Sequence, residues 1–185
     1  LFHWLRWKAG FFAAVYNEQY LAQELMLWLS RFNINDSAST NYLKRLITCA
    51  AELKQLTPLL QHIKAQPSCL NKEQTEWLCK ASLDFLAQEP QLIASIISLN
   101  SWHSLQAYLA CTPHYIAILQ AALSEARYCA EITDSEEQQT QFIRCIAHRC
   151  TPQQIVQLLP TTTDSLLKSL LIIHLLSQAS YLNSR

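Results

Sequence analysis

The amino-acid sequence predicts an all-α fold assembled from stacked αα-hairpins, and three observations carry that prediction. First, the 185 residues include a single glycine, Gly10, where an average chain has about 7%. Positive φ, tight hairpins between strands and bare backbone around a phosphate all draw on glycine. A sheet-based fold is therefore disfavoured, and the P-loop and dinucleotide fingerprints, which need several glycines at set spacing, are excluded. Second, apolar residues recur at helical spacing. Tyr42, Leu43, Leu46, Ala50, Leu53 and Leu56 follow the i, i+3, i+4, i+7 rule, as do Ile116, Leu119, Leu123, Ala126 and Ala130. Third, the periodic segments open with helix-start chemistry, which satisfies the first backbone N–H groups that a helix leaves without partners.

That chemistry takes two forms. Asn71 with Gln74, and Thr133 with Glu136, have the spacing of capping boxes. Proline, which loses no hydrogen bond at the first helical position, follows a polar residue in Thr57-Pro58, Glu89-Pro90, Thr112-Pro113 and Thr151-Pro152. An isoleucine stands three positions after three of these prolines, at Ile93, Ile116 and Ile155, with Gln61 the exception. The closest internal match sets Cys111-Thr112-Pro113-His114-Tyr115-Ile116 beside Cys150-Thr151-Pro152-Gln153-Gln154-Ile155. The prolines lie 32, 23 and 39 residues apart, so any repeat is irregular.

The predicted helices span 2–16, 18–32, 40–56, 58–65, 72–88, 90–99, 101–110, 113–131, 135–149, 152–159 and 164–182. Polar turn formers from Asn33 to Ser39 make the one linker-like stretch, and Pro160 to Thr163 breaks the chain before a mostly apolar last helix. The architecture expected from this order is an irregular helical repeat that resembles HEAT- or TPR-type proteins in general shape, or an orthogonal helical bundle. A chain of this length sustains one domain, 1–185, with an aromatic hairpin over 1–32 and a main body over 40–185. Because it begins at Leu1 and not at methionine, the expectation is a domain excised from a longer chain.

Composition narrows the function. Charged residues are 15% of the chain and cancel to +0, so no field draws the protein to a polyanion, and nucleic acid is disfavoured as a partner. Seven cysteines form an odd set without a C-x-x-C pair. Reduced thiols packed as small apolar groups, in the cytoplasm or another reducing compartment, are the expected reading.

Three function classes follow. The leading one is a non-enzymatic protein–protein interaction domain, a scaffold or adaptor, because stacked hairpins leave grooves and flat helical faces. Its predicted contact residues are Phe2, Trp4, Arg6, Trp7 and Lys8, where aromatics stand beside cations. The same segment suits a second class, a membrane-proximal helical domain held at a bilayer surface. It is too short and too charged to span one, which takes about 20 apolar residues. The third class is a Cys/His-dependent enzyme or zinc domain. Cys145 and His148 share a helical face, Cys150 follows, and Cys111 with His114 repeats the spacing. Zinc needs about four such ligands in a tetrahedral cage, and no knuckle turn separates these; the expectation is no metal, no cofactor and no catalytic residue. Packing of Trp4, Trp7, Phe11 and Phe12 against Leu21, Leu25, Trp28 and Leu29 is the competing structural role for the aromatic start.

Overall fold

In the computed structural model the backbone is described over residues 18–31 and 36–183, and the side chains over 23–31 and 36–180. The predicted helix 2–16, with Phe2, Trp4, Arg6, Trp7 and Lys8, lies outside the described residues. Everything described is helix or connection, with no strand, as an all-α fold requires. The chain divides into two compact units, Leu1–Leu99 and Asn100–Arg185.

The first unit contains α1 (Glu18–Ser30), α2 (Ser37–Glu52), α3 (Leu56–Ala65), α4 (Lys72–Ser82) and α5 (Leu92–Leu99), with 3-10 turns at Pro67–Cys69 and Leu83–Phe85. Helices α1 and α2, on either side of the predicted linker, pack together, with the Trp28 and Tyr42 rings 4.6 Å apart. Glu24 ties the pair by accepting from Trp28 Nε1 at 2.8 Å and from the Tyr42 hydroxyl at 3.3 Å. The linker is shorter than expected because Asp36 caps α2, accepting from the N–H groups of Ala38 and Ser39. Asn71 and Gln74 form the predicted capping box on α4. Helix α4 stops at Ser82 instead of running to 88. The buried Ser82 hydroxyl donates back to Leu78 O at 2.8 Å, a bond that tightens a helix and helps end it.

Proline does not open α3. Pro58 is its third residue, where a missing N–H still costs nothing. The cap comes from elsewhere in the fold: the buried Glu89 carboxylate accepts from Thr57 N at 3.2 Å and from Thr57 Oγ1 at 2.9 Å. Pro90 lies in the turn before α5, whose bonds run from Leu92 N to Glu89 O and from Ile93 N to Pro90 O.

The second unit contains α6 (Trp102–Leu109), α7 (Tyr115–Leu123), α8 (Ala126–Thr133), α9 (Glu136–Arg149), α10 (Pro152–Leu158) and α11 (Ser165–Asn183). Its first residue is pinned inside. Asn100 Oδ1 accepts from Tyr108 at 3.0 Å and Asn100 O from Tyr128 at 2.8 Å, both buried. Trp102 and Phe142, fully buried, meet at 5.7 Å in the core.

The predicted helix 113–131 is two helices here. Helix α7 ends at Leu123, and Glu125 is extended before α8. The break frees the Leu123 carbonyl, which accepts from Thr163 N at 3.1 Å and Thr163 Oγ1 at 3.3 Å in the turn before α11. A consequence is that Ala126 and Ala130, expected on the inner face, are exposed, and Tyr128, Cys129 and Ile132 are buried in their place. Thr133 is likewise not a cap; it closes α8 by donating to Cys129 O, and Ser135 caps α9 by accepting from Gln138 N.

Of the four prolines only Pro152 occupies the predicted first position, behind a full Thr151–Gln154 capping box. Pro113 lies in a turn held by Thr112 Oγ1, which accepts from His114 N. The two matching segments are neighbours, because α7 packs on α10 and Tyr115 donates to Gln154 Oε1 at 3.0 Å.

Candidate interaction surface

Helix α11 is built from Leu, Ile and Ser, and Lys168 is its only side chain with a formal charge. Asp164 starts it by accepting from Leu167 N at 2.9 Å. Thr161 and Thr162, both donating to Leu158 O, hold the preceding turn against α10. The helix then packs on α8, α9 and α10, burying Leu167 and Leu171 completely.

Its outer side stays apolar. Ile173 and Leu176 are each 62% exposed, Leu166 44% and Ile172 43%. Val156 on α10 is also exposed. A helix that is apolar all round normally has neighbours all round. A face of this extent, on the order of a few hundred Å², is the size that marks an interaction site on a monomer. Sequence reading found the apolar run from Leu166 to Leu176 but placed the contact residues at the N-terminus. The signal available was the lack of charge on either side of α11; which side is buried depends on the neighbouring helices.

The cysteine and histidine candidates are not assembled into a site. Cys111 is exposed and its thiol donates to Ala107 O, His114 is half-buried, and His148 is exposed. No group of three His, Cys, Asp or Glu among the described residues could hold a metal ion. Cys145 and Cys150 do lie near each other. Burial, then the neighbouring Cys145, pushes the Cys150 thiol up to about 11, against the opposing pull of Arg149; burial also raises Cys145. Both are neutral at physiological pH, the opposite of an activated nucleophile. Arg149 itself is engaged structurally, donating to Leu109 O at the end of α6 and lying 5.1 Å over the Tyr115 ring.

Two concavities complete the surface. In the second unit a cleft of about 420 Å³ is lined by Trp102, His103, Glu131, Asp134 and Gln138. Its Glu131 carboxylate is occupied in capping α6, accepting from Trp102 N at 2.6 Å. In the first unit a more apolar groove of about 630 Å³ runs between Met26, Leu27, Pro58, Leu59, His62 and Cys69. Neither gathers a nucleophile, base and oxyanion donors of the kind that acyl or phosphoryl transfer requires. Among the described residues no helix is long and apolar enough to cross a membrane. Comparison with protein-family models, with curated proteins and with solved structures finds no match to this chain.

Proposed function

We propose that this chain is a non-enzymatic protein–protein interaction domain, a scaffold or adaptor in the manner of an irregular helical repeat, and that it binds through the outer face of α11. The observation that supports this reading most is the exposure of Leu166, Ile172, Ile173 and Leu176 on one packed helix. Leaving several branched aliphatic side chains in water forgoes about 25 cal/mol for each Å² of apolar surface, which a partner recovers on covering them. The chemistry of the face selects an uncharged apolar partner surface such as an amphipathic helix, since Lys168 alone offers a charge to pair with.

The test is capture from the native source with wild-type chain and with the double variant Ile173→Glu, Leu176→Glu. A specific protein recovered in stoichiometric yield by wild type and lost with the folded double variant is expected. Identical recovery by both would remove α11 as the binding face.

A further inference from the structure

We infer that the partner of the α11 face is a second copy of this chain, docked as an antiparallel pair of α11 helices about a twofold axis at Ile173. This rests on the reading of α11 as an interaction surface and adds the identity of its occupant. Three features of the helix carry it. The first is charge. Residues Ser165–Asn183 include one lysine and no acid, so an oppositely charged partner would find almost nothing to pair with, and the face suits a surface as neutral as itself.

The second is register. With the axis at Ile173, the most exposed isoleucine of one copy meets its own equivalent. Leu176 then faces Leu170 of the other copy, Ser169 faces Ser177, Leu166 faces Ser180, and Lys168 faces Gln178. Apolar thus meets apolar in the centre and no like charges are opposed. The exposed serines Ser169, Ser177 and Ser180 are small enough to let two helices approach to about 8–10 Å. The third is orientation. Antiparallel helices oppose their dipoles favourably, and a twofold arrangement uses one patch twice, the commonest way soluble chains self-associate. A membrane surface fits less well, because interfacial helices carry a row of Lys and Arg on the polar side, which α11 lacks.

The experiment is sedimentation and light scattering on the full chain over a concentration series reaching about 100 µM, a range that resolves micromolar association. Wild type is expected to approach twice the chain mass of 21.2 kDa. Ile173→Glu and Leu176→Glu, with unchanged circular dichroism, are expected to weaken dimerisation at least tenfold. Ile173→Cys is expected to form a disulfide-linked dimer under mild oxidation faster than Leu166→Cys, since only the former lies on the axis.

A wild-type chain that stays monomeric overturns self-pairing whatever the capture experiment returns, and a different protein then bound through α11 identifies a heterologous partner. A dimer that both glutamate variants leave intact overturns α11 as its interface. Equal crosslinking of the two cysteine variants overturns the register. Failure of the interaction reading itself would appear separately, as identical capture by the wild type and the double variant.

Discussion

Lys54 is, among the described residues, the non-glycine residue with positive φ, at 55°. It occupies the position after the C-cap of α2, where Gln55 N bonds Ala50 O at 2.7 Å and Lys54 N bonds Ala51 O at 3.0 Å. That pair of bonds is a Schellman closure, which glycine ordinarily makes without steric cost. Lys54→Gly is therefore expected to stabilise the chain by roughly 0.5–1 kcal/mol, the left-handed penalty less the entropy glycine adds to the unfolded state. Urea denaturation measures it, and a loss of stability would show that the lysine side chain compensates.

Cys150 gives a second test at the same scale. Its thiol holds its proton more tightly folded than unfolded, with a pKa raised from 9.0 to about 11 by burial first and Cys145 second. The stabilisation from this group is complete below about pH 9 and is lost as pH rises through 11. Melting temperature should fall more steeply over that interval in wild type than in Cys150→Ala. At neutral pH a thiol reagent should label exposed Cys111 well before Cys150, as mass spectrometry of the peptides would register.

Among the elements, helix interiors were legible in the sequence and helix ends only in part. Asn71–Gln74 and Thr151–Gln154 form the boxes their spacing predicts, because a cap joins residues three apart and needs nothing from elsewhere. Thr133 and Ser135 are both plausible caps by type, and the chain chose Ser135. Ser135→Ala is accordingly expected to cost about 1 kcal/mol. Thr133→Ala, removing a hydroxyl bonded back into its own helix, should cost distinctly less. Chemical denaturation of the two variants separates the alternatives, and the reverse order would restore Thr133 as the cap.

The caps that escaped sequence reading are those made at a distance. Glu89 reaches Thr57 across 32 positions and Glu131 reaches Trp102 across 29. Glutamate has no spacing that announces such a role. The break at Ser124–Glu125 was hidden for the same reason: neither glycine nor proline marks it, and its freed carbonyl is satisfied by Thr163, 40 residues on.

For the whole molecule, the difference between inner and outer side of α11 is the feature with most consequence. Ile173→Glu places a charge in water and should change stability by no more than about 0.5 kcal/mol in dilute solution. Leu171→Glu places one in the core, where an unpaired buried charge costs several kcal/mol, and should leave the second unit unfolded by circular dichroism. Comparable effects of the two substitutions would mean that Ile173 is covered within the chain itself. The same contrast separates what was readable from what was not. Period, capping residues and the lack of glycine are relations between near neighbours, and they determined by themselves that the chain is helical and nearly where each helix lies. Which apolar residues are covered is a relation between helices, settled by how α8, α9 and α10 pack. Tertiary structure alone therefore decided that Leu167 and Leu171 turn inward while Ile173 and Leu176 face solvent, because a helix apolar on every side leaves its neighbours to choose the buried face.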